Sequence, residues 1–336
     1  MYLSKNNINI SIIIPILDEE NYMRSCLDSI LNSDIDNFEL ILVDGGSSDN
    51  TVDIITEYQK KYPFIKLLYN PQKFTPISMN MGIKASIGEY IFIISAHAKY
   101  QENYFSFLVK EIKRLKANCV GGILNTEVKN RNKKSNAIKK ILTHKFGVGN
   151  ADFRTGGNQI KEVDTVAFGC YTKETFEKFG LYDEKLIRNQ DIELNKRIIN
   201  GGGKIYLIPD IKATYYAREN FTDLAKNNFA NGKWNILTAY YTKTFNSLSL
   251  RHFVPLIFVL SLFLPILLLW FNINFLWITL LSLSSYLSLV IISSLKSKDK
   301  NSSFFYLVVG FLTLHLSYGL GSLVGIFSII KKYIKR

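Results

Sequence analysis

The residues best suited to hold a polar ligand are acidic side chains placed just past short apolar runs. Phe38–Thr51 reads FELILVDGGSSDNT. Leu40-Ile41-Leu42-Val43 is a buried strand, and Asp44 stands at its carboxyl end. Gly45 and Gly46 permit a tight turn, and Ser47, Ser48 and Asp49 offer oxygens to cap the helix expected over Val52–Lys61. A strand, a polar glycine turn and a helix make a nucleotide-sized niche, because ligands of α/β sheets sit outside the carboxyl ends of strands. A similar unit precedes it: Ile10–Leu17 is a strand ended by Pro15, and Asp18-Glu19-Glu20-Asn21 opens a helix through Leu31. Lys73, past a third strand, is a cation that could meet a phosphate. His97 lies at a strand end two residues from Ser95, and Asp191 and Glu193 open a late helix, where the helix dipole favours carboxylates.

The elements that must position these groups alternate. Strands are expected at Ile10–Ile14, Glu39–Val43, Ile65–Tyr69 and Tyr90–Ile94, with helices ending at Leu31 and Lys61 and another near Ser78–Ser86. That spacing predicts right-handed crossovers and a mainly parallel sheet. Gln101–Lys116 reads as an amphipathic helix, Cys119–Leu124 and Lys204–Ile208 as strands, and Asn125–Phe153 as a basic solvated surface. Arg154-Thr155-Gly156-Gly157-Asn158 is a glycine loop to which the sequence assigns no role.

Pro-x-x-Asp-Glu-Glu-Asn, then Leu-Val-Asp-Gly-Gly-Ser-Ser-Asp-Asn-Thr, resembles the amino-terminal half of the family 2 inverting glycosyltransferases. The resemblance covers roughly the first two-thirds of the chain and is nearest the membrane-anchored, succinoglycan-type glucosyltransferases. It implies a Rossmann-like GT-A catalytic domain and a nucleotide-sugar donor, with Pro15, Glu19, Asp44, Asn80, Gly82, Ser95 and His97 on the donor side. Asp44 and Glu19 would hold base and ribose. At Ser95-Ala96-His97 the family usually carries Asp-x-Asp or Asp-Ala-His, which holds Mg²⁺ or Mn²⁺ on the diphosphate. Here His97 is the metal residue retained, while Ser95 replaces a carboxylate. Phe168 and Gly169 would border the sugar pocket, and Trp234 would lie beside the acceptor. Asn189-Gln190-Asp191 resembles the family's Glu-Asp motif, with Asp191 matching the catalytic base that deprotonates the acceptor hydroxyl. One cleft must then span Asp44 and Asp191. Two rival readings are a polyprenyl-phosphate sugar synthase and a degenerate transferase acting as a binding or scaffold subunit; Ser95 and Gln190 motivate the latter.

Of the 336 residues 47% are hydrophobic, but they concentrate after Phe253. Phe253–Phe271, Ile273–Leu295 and Phe304–Ile330 each reach the roughly 20 residues that span a bilayer core. The expected organisation is a GT-A domain over 1–220, an interfacial amphipathic segment over 221–252, and an α-helical transmembrane region of two to three spans over 253–336. Trp234, Tyr240 and Tyr241 suit an interfacial belt. With membrane present, the formal charge of +13 points to anionic lipid and phosphorylated substrates, and no nucleic-acid-binding motif is visible. Cys26, Cys119 and Cys170 match neither a disulfide framework nor a zinc site. The amino terminus does not read as a signal peptide, which predicts a multi-pass membrane protein with a cytoplasmic catalytic domain. Basic clusters at Lys296, Lys298 and Lys300 and at Lys331, Lys332, Lys335 and Arg336 both belong inside by charge, which three full crossings would forbid. The third run, with Gly310, Gly319, Gly321 and Gly325, is the one to suspect of not crossing.

Overall fold

Runs of β-branched and aliphatic residues build the strands on which the rest depends. In the computed structural model, which describes residues 9–243 and 250–334, β1 is Ile10–Ile16 and β2 is Phe38–Asp44, the latter buried throughout. Between them α1, Glu20–Leu31, turns Met23, Cys26, Leu27 and Ile30 inward at helical spacing. The alternation continues through α2 (Thr51–Lys61), β3 (Ile65–Tyr69), α3 (Thr75–Ala85), β4 (Tyr90–Ile93), β5 (Ala98–Tyr100), α4 (Tyr104–Leu115) and β6 (Cys119–Glu127). Three helices follow: α5 (Lys133–Thr143), α6 (Lys145–Val148) and α7 (Asp152–Thr155). Next come β7 (Lys161–Glu162), β8 (Cys170–Thr172), α8 (Lys173–Phe179), α9 (Gln190–Asn200) and β9 (Ile205–Tyr216). Four helices complete the chain: α10 (Phe221–Thr242), α11 (Val254–Leu267), α12 (Phe275–Ser297) and α13 (Phe304–Ile334).

The chain divides into two compact units, Met1–Asn125 with Asp152–Tyr216, and Thr126–Ala151 with Ala217–Arg336. The first carries a sheet ordered β3-β2-β1-β4-β8-β6-β9-β5, with β7 on β9. The parallel arrangement expected from the alternation holds for β3-β2-β1-β4. Beyond β4 the pairing turns antiparallel, at β4–β8, β6–β8, β5–β9 and β7–β9, so the sheet is mixed. Successive β1 residues point to opposite faces: Ile12 and Ile14 join one core with α1 and α4, and Ile13 joins the other with α3 and α9.

In the second unit α5 buries Ala137, Ile138 and Ile141 against Leu307 and Phe311 of α13. The expectation of a solvated surface over Asn125–Phe153 is therefore corrected: the lysines decorate the outer face of a helix whose inner face is core. Phe253–Phe271, expected as one span, is a 14-residue α-helix containing Pro265 and continued by a short 3-10 helix over Leu268–Trp270. The proline removes a backbone donor and breaks the regular helix. α12 and α13, of 23 and 31 residues, are long and apolar enough to cross a membrane. α10 and α13 run in the same direction, face to face: Gly232 meets the carbonyl of Tyr318, Gly321 that of Phe229, and Lys332 donates to the Tyr241 hydroxyl at 2.6 Å. Residues 244–249, within the segment expected to be interfacial, and the tail residues Lys335 and Arg336 lie outside the described residues.

Candidate active site

The strand order reverses at β1, with β2 on one side and β4 on the other. In an open α/β sheet a crevice forms outside the carboxyl ends of strands at such a switch point. A cavity of about 400 Å³ lies there, floored by Pro15, Ile16 and Leu17 at the end of β1 and by Ile93, Ile94 and Ser95 at the end of β4. Its volume is in the range of small-molecule sites.

One wall holds His97. Glu19 Oε1 lies 3.0 Å from His97 Nδ1, and Ser95 Oγ lies 3.2 Å from the same nitrogen and 3.3 Å from Nε2. Glu19 opens α1, and its backbone N–H donates to Thr51 Oγ1 at 2.8 Å, tying the turns after β1 and β2 together. The His97 ring also contacts Tyr215, edge to face at 5.3 Å between centroids.

Asp191 lines the cavity from the first turn of α9. Burial pushes its carboxyl above the ordinary aspartate range, against the pull of hydrogen bonds from the backbone N–H groups of Ile192 and Asp191 itself. Several ties fix α9. Tyr171 donates to Asn195 Oδ1 at 3.3 Å, and Asn195 donates to Thr165 Oγ1 at 3.1 Å. Arg197 pairs with Glu193 at 2.7 Å and donates to the carbonyls of Leu181, at 2.9 Å, and Phe179. Glu193 thus anchors the approach to α9. Gln190 begins the helix, and its Oε1 is buried with no hydrogen-bond partner among the described residues.

The structure gathers Pro15, Glu19, Ser95, His97, Phe168, Gly169 and Asp191 around one cavity. Pro15 lies within β1, opposite Val43, rather than ending it. Asp44, Asn80 and Gly82 stand behind the wall. The Asp44 carboxylate accepts from the N–H of Gly46 at 2.9 Å and from Ser47 Oγ at 2.6 Å, so it closes its own turn. That turn packs on Lys73, which does line the cavity, so the cleft spans Asp191 and the neighbour of Asp44 but not Asp44. Asn80 donates to the Tyr182 carbonyl and to Glu184, each at 2.9 Å, and accepts from Tyr182 N–H at 3.0 Å, locking the loop that precedes Asp191. Gly82 is required because a Cβ there would overlap Ile13. Trp234 belongs to α10 of the second unit, stacked on Tyr241.

Backbone strain concentrates at the cavity. Of six non-glycine residues with positive φ among the described residues, Lys73 (φ 65°) and Phe168 (φ 51°) line the cavity, and Asp18 (φ 53°) and Asn189 (φ 62°) adjoin it. Each such residue costs about 1–3 kcal/mol and persists where its surroundings enforce it. Arg154, Tyr182 and Tyr215 also line the cavity; only the polar glycine loop that begins at Arg154 hinted at any of them.

These donors bear on a divalent cation. Glu19 on Nδ1 is the arrangement that orients an imidazole for metal binding, so His97 and Ser95 would be the residues to hold the ion. No group of three or more His, Cys, Asp or Glu residues that could hold a metal occurs among the described residues. The set fits Mn²⁺ or Mg²⁺ drawing most of its oxygens from a bound phosphate and water.

The profile of Glycosyl transferase family 2 matches residues 11–171. A dolichyl N-acetyl-alpha-D-glucosaminyl phosphate 3-beta-D-2,3-diacetamido-2,3-dideoxy-beta-D-glucuronosyltransferase of Methanococcus voltae is 33% identical over 233 residues, 66% of this chain and 71% of that protein. The succinoglycan biosynthesis protein ExoA of Rhizobium meliloti is 26% identical over 228 residues, 66% of this chain and 67% of its own. In fold, the chain resembles the mannosyltransferase PcManGT of Pyrobaculum calidifontis, solved with GDP-Man and Mn²⁺, at a TM-score of 0.62 and 12% identity, covering 95% of this chain and 87% of that one. It resembles GalNAc-T7, solved with UDP, GalNAc and Mn²⁺, at a TM-score of 0.50 and 16% identity, over 64% of this chain but only 45% of that one.

Proposed function

Because this chain belongs to glycosyl transferase family 2, we propose that it moves a sugar, with inversion, from a nucleotide-sugar donor, UDP-linked, to a lipid-linked or growing glycan. The likeness to the M. voltae transferase and the R. meliloti succinoglycan biosynthesis protein supports a place in cell-surface polysaccharide or glycoconjugate synthesis. The observation that carries the reading is a single switch-point cavity with His97 and Glu19 on one wall and Asp191 on another.

In this mechanism Asp191 takes the proton of the acceptor hydroxyl as that oxygen attacks the anomeric carbon. The bond from that carbon to the diphosphate oxygen breaks on the opposite face, and its electron pair leaves with the nucleoside diphosphate. His97 Nε2 and Ser95 face the leaving group, with Glu19 orienting the imidazole. His97 and Ser95 would hold Mn²⁺ or Mg²⁺, which when bound neutralises diphosphate charge. Phe168 and Gly169 border the sugar. Asp44 and Asn80 act as positioning residues, through the Lys73 turn and the Tyr182 loop respectively.

The second unit serves as the membrane part, with residues 221–252 interfacial and the catalytic domain cytoplasmic. Its support is the pair of long apolar helices and the cluster of Trp234, Tyr240, Tyr241, Tyr333 and Lys332 where α10 and α13 end. The test is turnover of a panel of nucleotide-sugars by membranes containing the protein, with and without Mn²⁺, scored with glycan and polyprenyl-phosphate acceptors. Sugar release or transfer that needs Asp191 supports the reading; an Asp191→Asn protein as fast as wild type overturns the assignment of the base.

A further inference from the structure

Arg154 is a charged cavity residue with no role so far. It sits on α7, half-buried, with its guanidinium 5.4 Å from the Phe153 ring centre and 5.2 Å from that of Tyr215. Tyr215 in turn contacts the His97 ring, so stacked aromatics carry a fixed positive charge along the wall on which His97 stands. Arg24, Arg114, Arg131 and Arg197 each face a glutamate. Among the described residues no carboxylate lies within ion-pair distance of Arg154. The acidic residue nearest in sequence, Asp152, is held instead by Lys161 at 2.8 Å, and the cavity carboxylate Glu19 is turned to His97. A guanidinium fork seated on rings, with its donors left for the cavity, is built for a bidentate oxyanion. Ser95, beside His97, carries no charge, and Arg154 and Lys73 are the arginine and lysine of the lining.

We propose that Arg154 grips the diphosphate of the donor and takes up its negative charge as the bond to the sugar breaks. This rests on the glycosyl-transfer reading above. Arg154 forms no covalent bond and moves no proton; Asp191 still takes the acceptor's hydrogen, and the electron pair of the broken bond stays on the phosphate oxygen that Arg154 contacts. Lys73 supplies a second cation on another part of the lining.

The test is calorimetric titration of the full-length protein in detergent with UDP, GDP and CDP, with the matching nucleosides, and with inorganic pyrophosphate, each in EDTA and in Mn²⁺. For the nucleoside diphosphate that binds best, and for pyrophosphate, Arg154→Gln should weaken binding by about tenfold to a hundredfold under both conditions. Binding of the nucleoside should stay within about twofold, and Arg154→Lys should recover part of the loss, since it keeps the charge without the fork. Melting of each variant checks folding. If wild type binds a nucleoside diphosphate and Arg154→Gln binds it equally well, this inference falls alone. If wild type binds none of the three, the donor reading falls and the inference with it. If Arg154→Gln loses farnesyl phosphate but keeps the nucleotide, the phosphate served is the acceptor's and the donor assignment is overturned.

Discussion

Asp191 is more exacting than a surface aspartate because burial holds its carboxyl above the usual range. As the base it works only when ionised, so kcat should fall as pH drops through that raised value. The acid limb of the profile should therefore lie above the range of a solvated aspartate, and Asp191→Asn should remove about 10²–10⁴ of the rate. The stability sign is opposite. A carboxyl with a raised folded pKa contributes stability below its unfolded pKa, and that contribution is lost as pH rises through the folded value. At neutral pH Asp191→Asn should thus melt at or above the wild-type temperature while activity collapses; a large drop in melting temperature would mean a structural carboxylate. Gly82→Ala should do the reverse of a binding mutation, costing about 1–3 kcal/mol in denaturant titration by overpacking Ile13. The sequence singled out Glu19, Asp44 and Asp191 but could not say which of them face the cavity; Glu19 and Asp191 do. Asp44 has the form of a ligand-binding carboxylate, yet the amides of its own turn saturate it, which no spacing rule reveals. Arg154 and Tyr215 escaped because their meeting depends on loop and sheet contacts between segments distant in sequence.

Among elements, the βα units were legible because their apolar runs are short and bounded by glycine, proline and acidic turns; Ile65–Tyr69 is observed at the residues expected. α5 was missed because lysines surround its buried face, and the partner that defines that face, α13, comes far later in the chain. The pairing of α10 with α13 bears on the charge conflict. α10 carries Asp223, Lys226 and Lys233 and buries Asn228 and Asn235, so it is too polar to cross a bilayer. α13 lies along it in the same direction from Gly310, beside Phe221, to Lys332, beside Tyr241. A helix bound to so polar a partner over that length should share its depth, which predicts that α13 lies in the interface. α11 and α12 would then form the hairpin: α11 gives roughly 21 Å of α-helix, and its 3-10 continuation about 6 Å more, near the thickness of the hydrocarbon core. Cysteines placed at Asn301 and Tyr333 should react with an impermeant maleimide from the same side of sealed vesicles. The native Cys26, Cys119 and Cys170 are buried and give little background. Labelling from opposite sides would establish that α13 crosses.

At the scale of the whole molecule, the chain does not divide where its composition shifts. The apolar region begins near Phe253, which makes residues 1–220 look like a detachable soluble enzyme. The second unit, however, draws in Thr126–Ala151 from the middle of the sequence. In that stretch Ala137, Ile138 and Ile141 are fully buried, with Leu307 and Phe311 in the same core. Lys140 is anchored to Asp299 at 2.8 Å and to the Ser297 carbonyl at 2.6 Å, and Asn136 donates to the Asn301 carbonyl at 3.1 Å. Cutting at 220 exposes both isoleucines and leaves Lys140 without its partners. Full exposure of two such side chains forfeits about 3–6 kcal/mol, a large part of the net stability of an ordinary domain. The 1–220 fragment should therefore aggregate or require detergent, and Ile138→Lys with Ile141→Glu in that fragment should restore solubility by making the uncovered face polar. Size-exclusion chromatography of the two fragments decides it: a monodisperse, detergent-free 1–220 protein would show that α5 does not depend on α13.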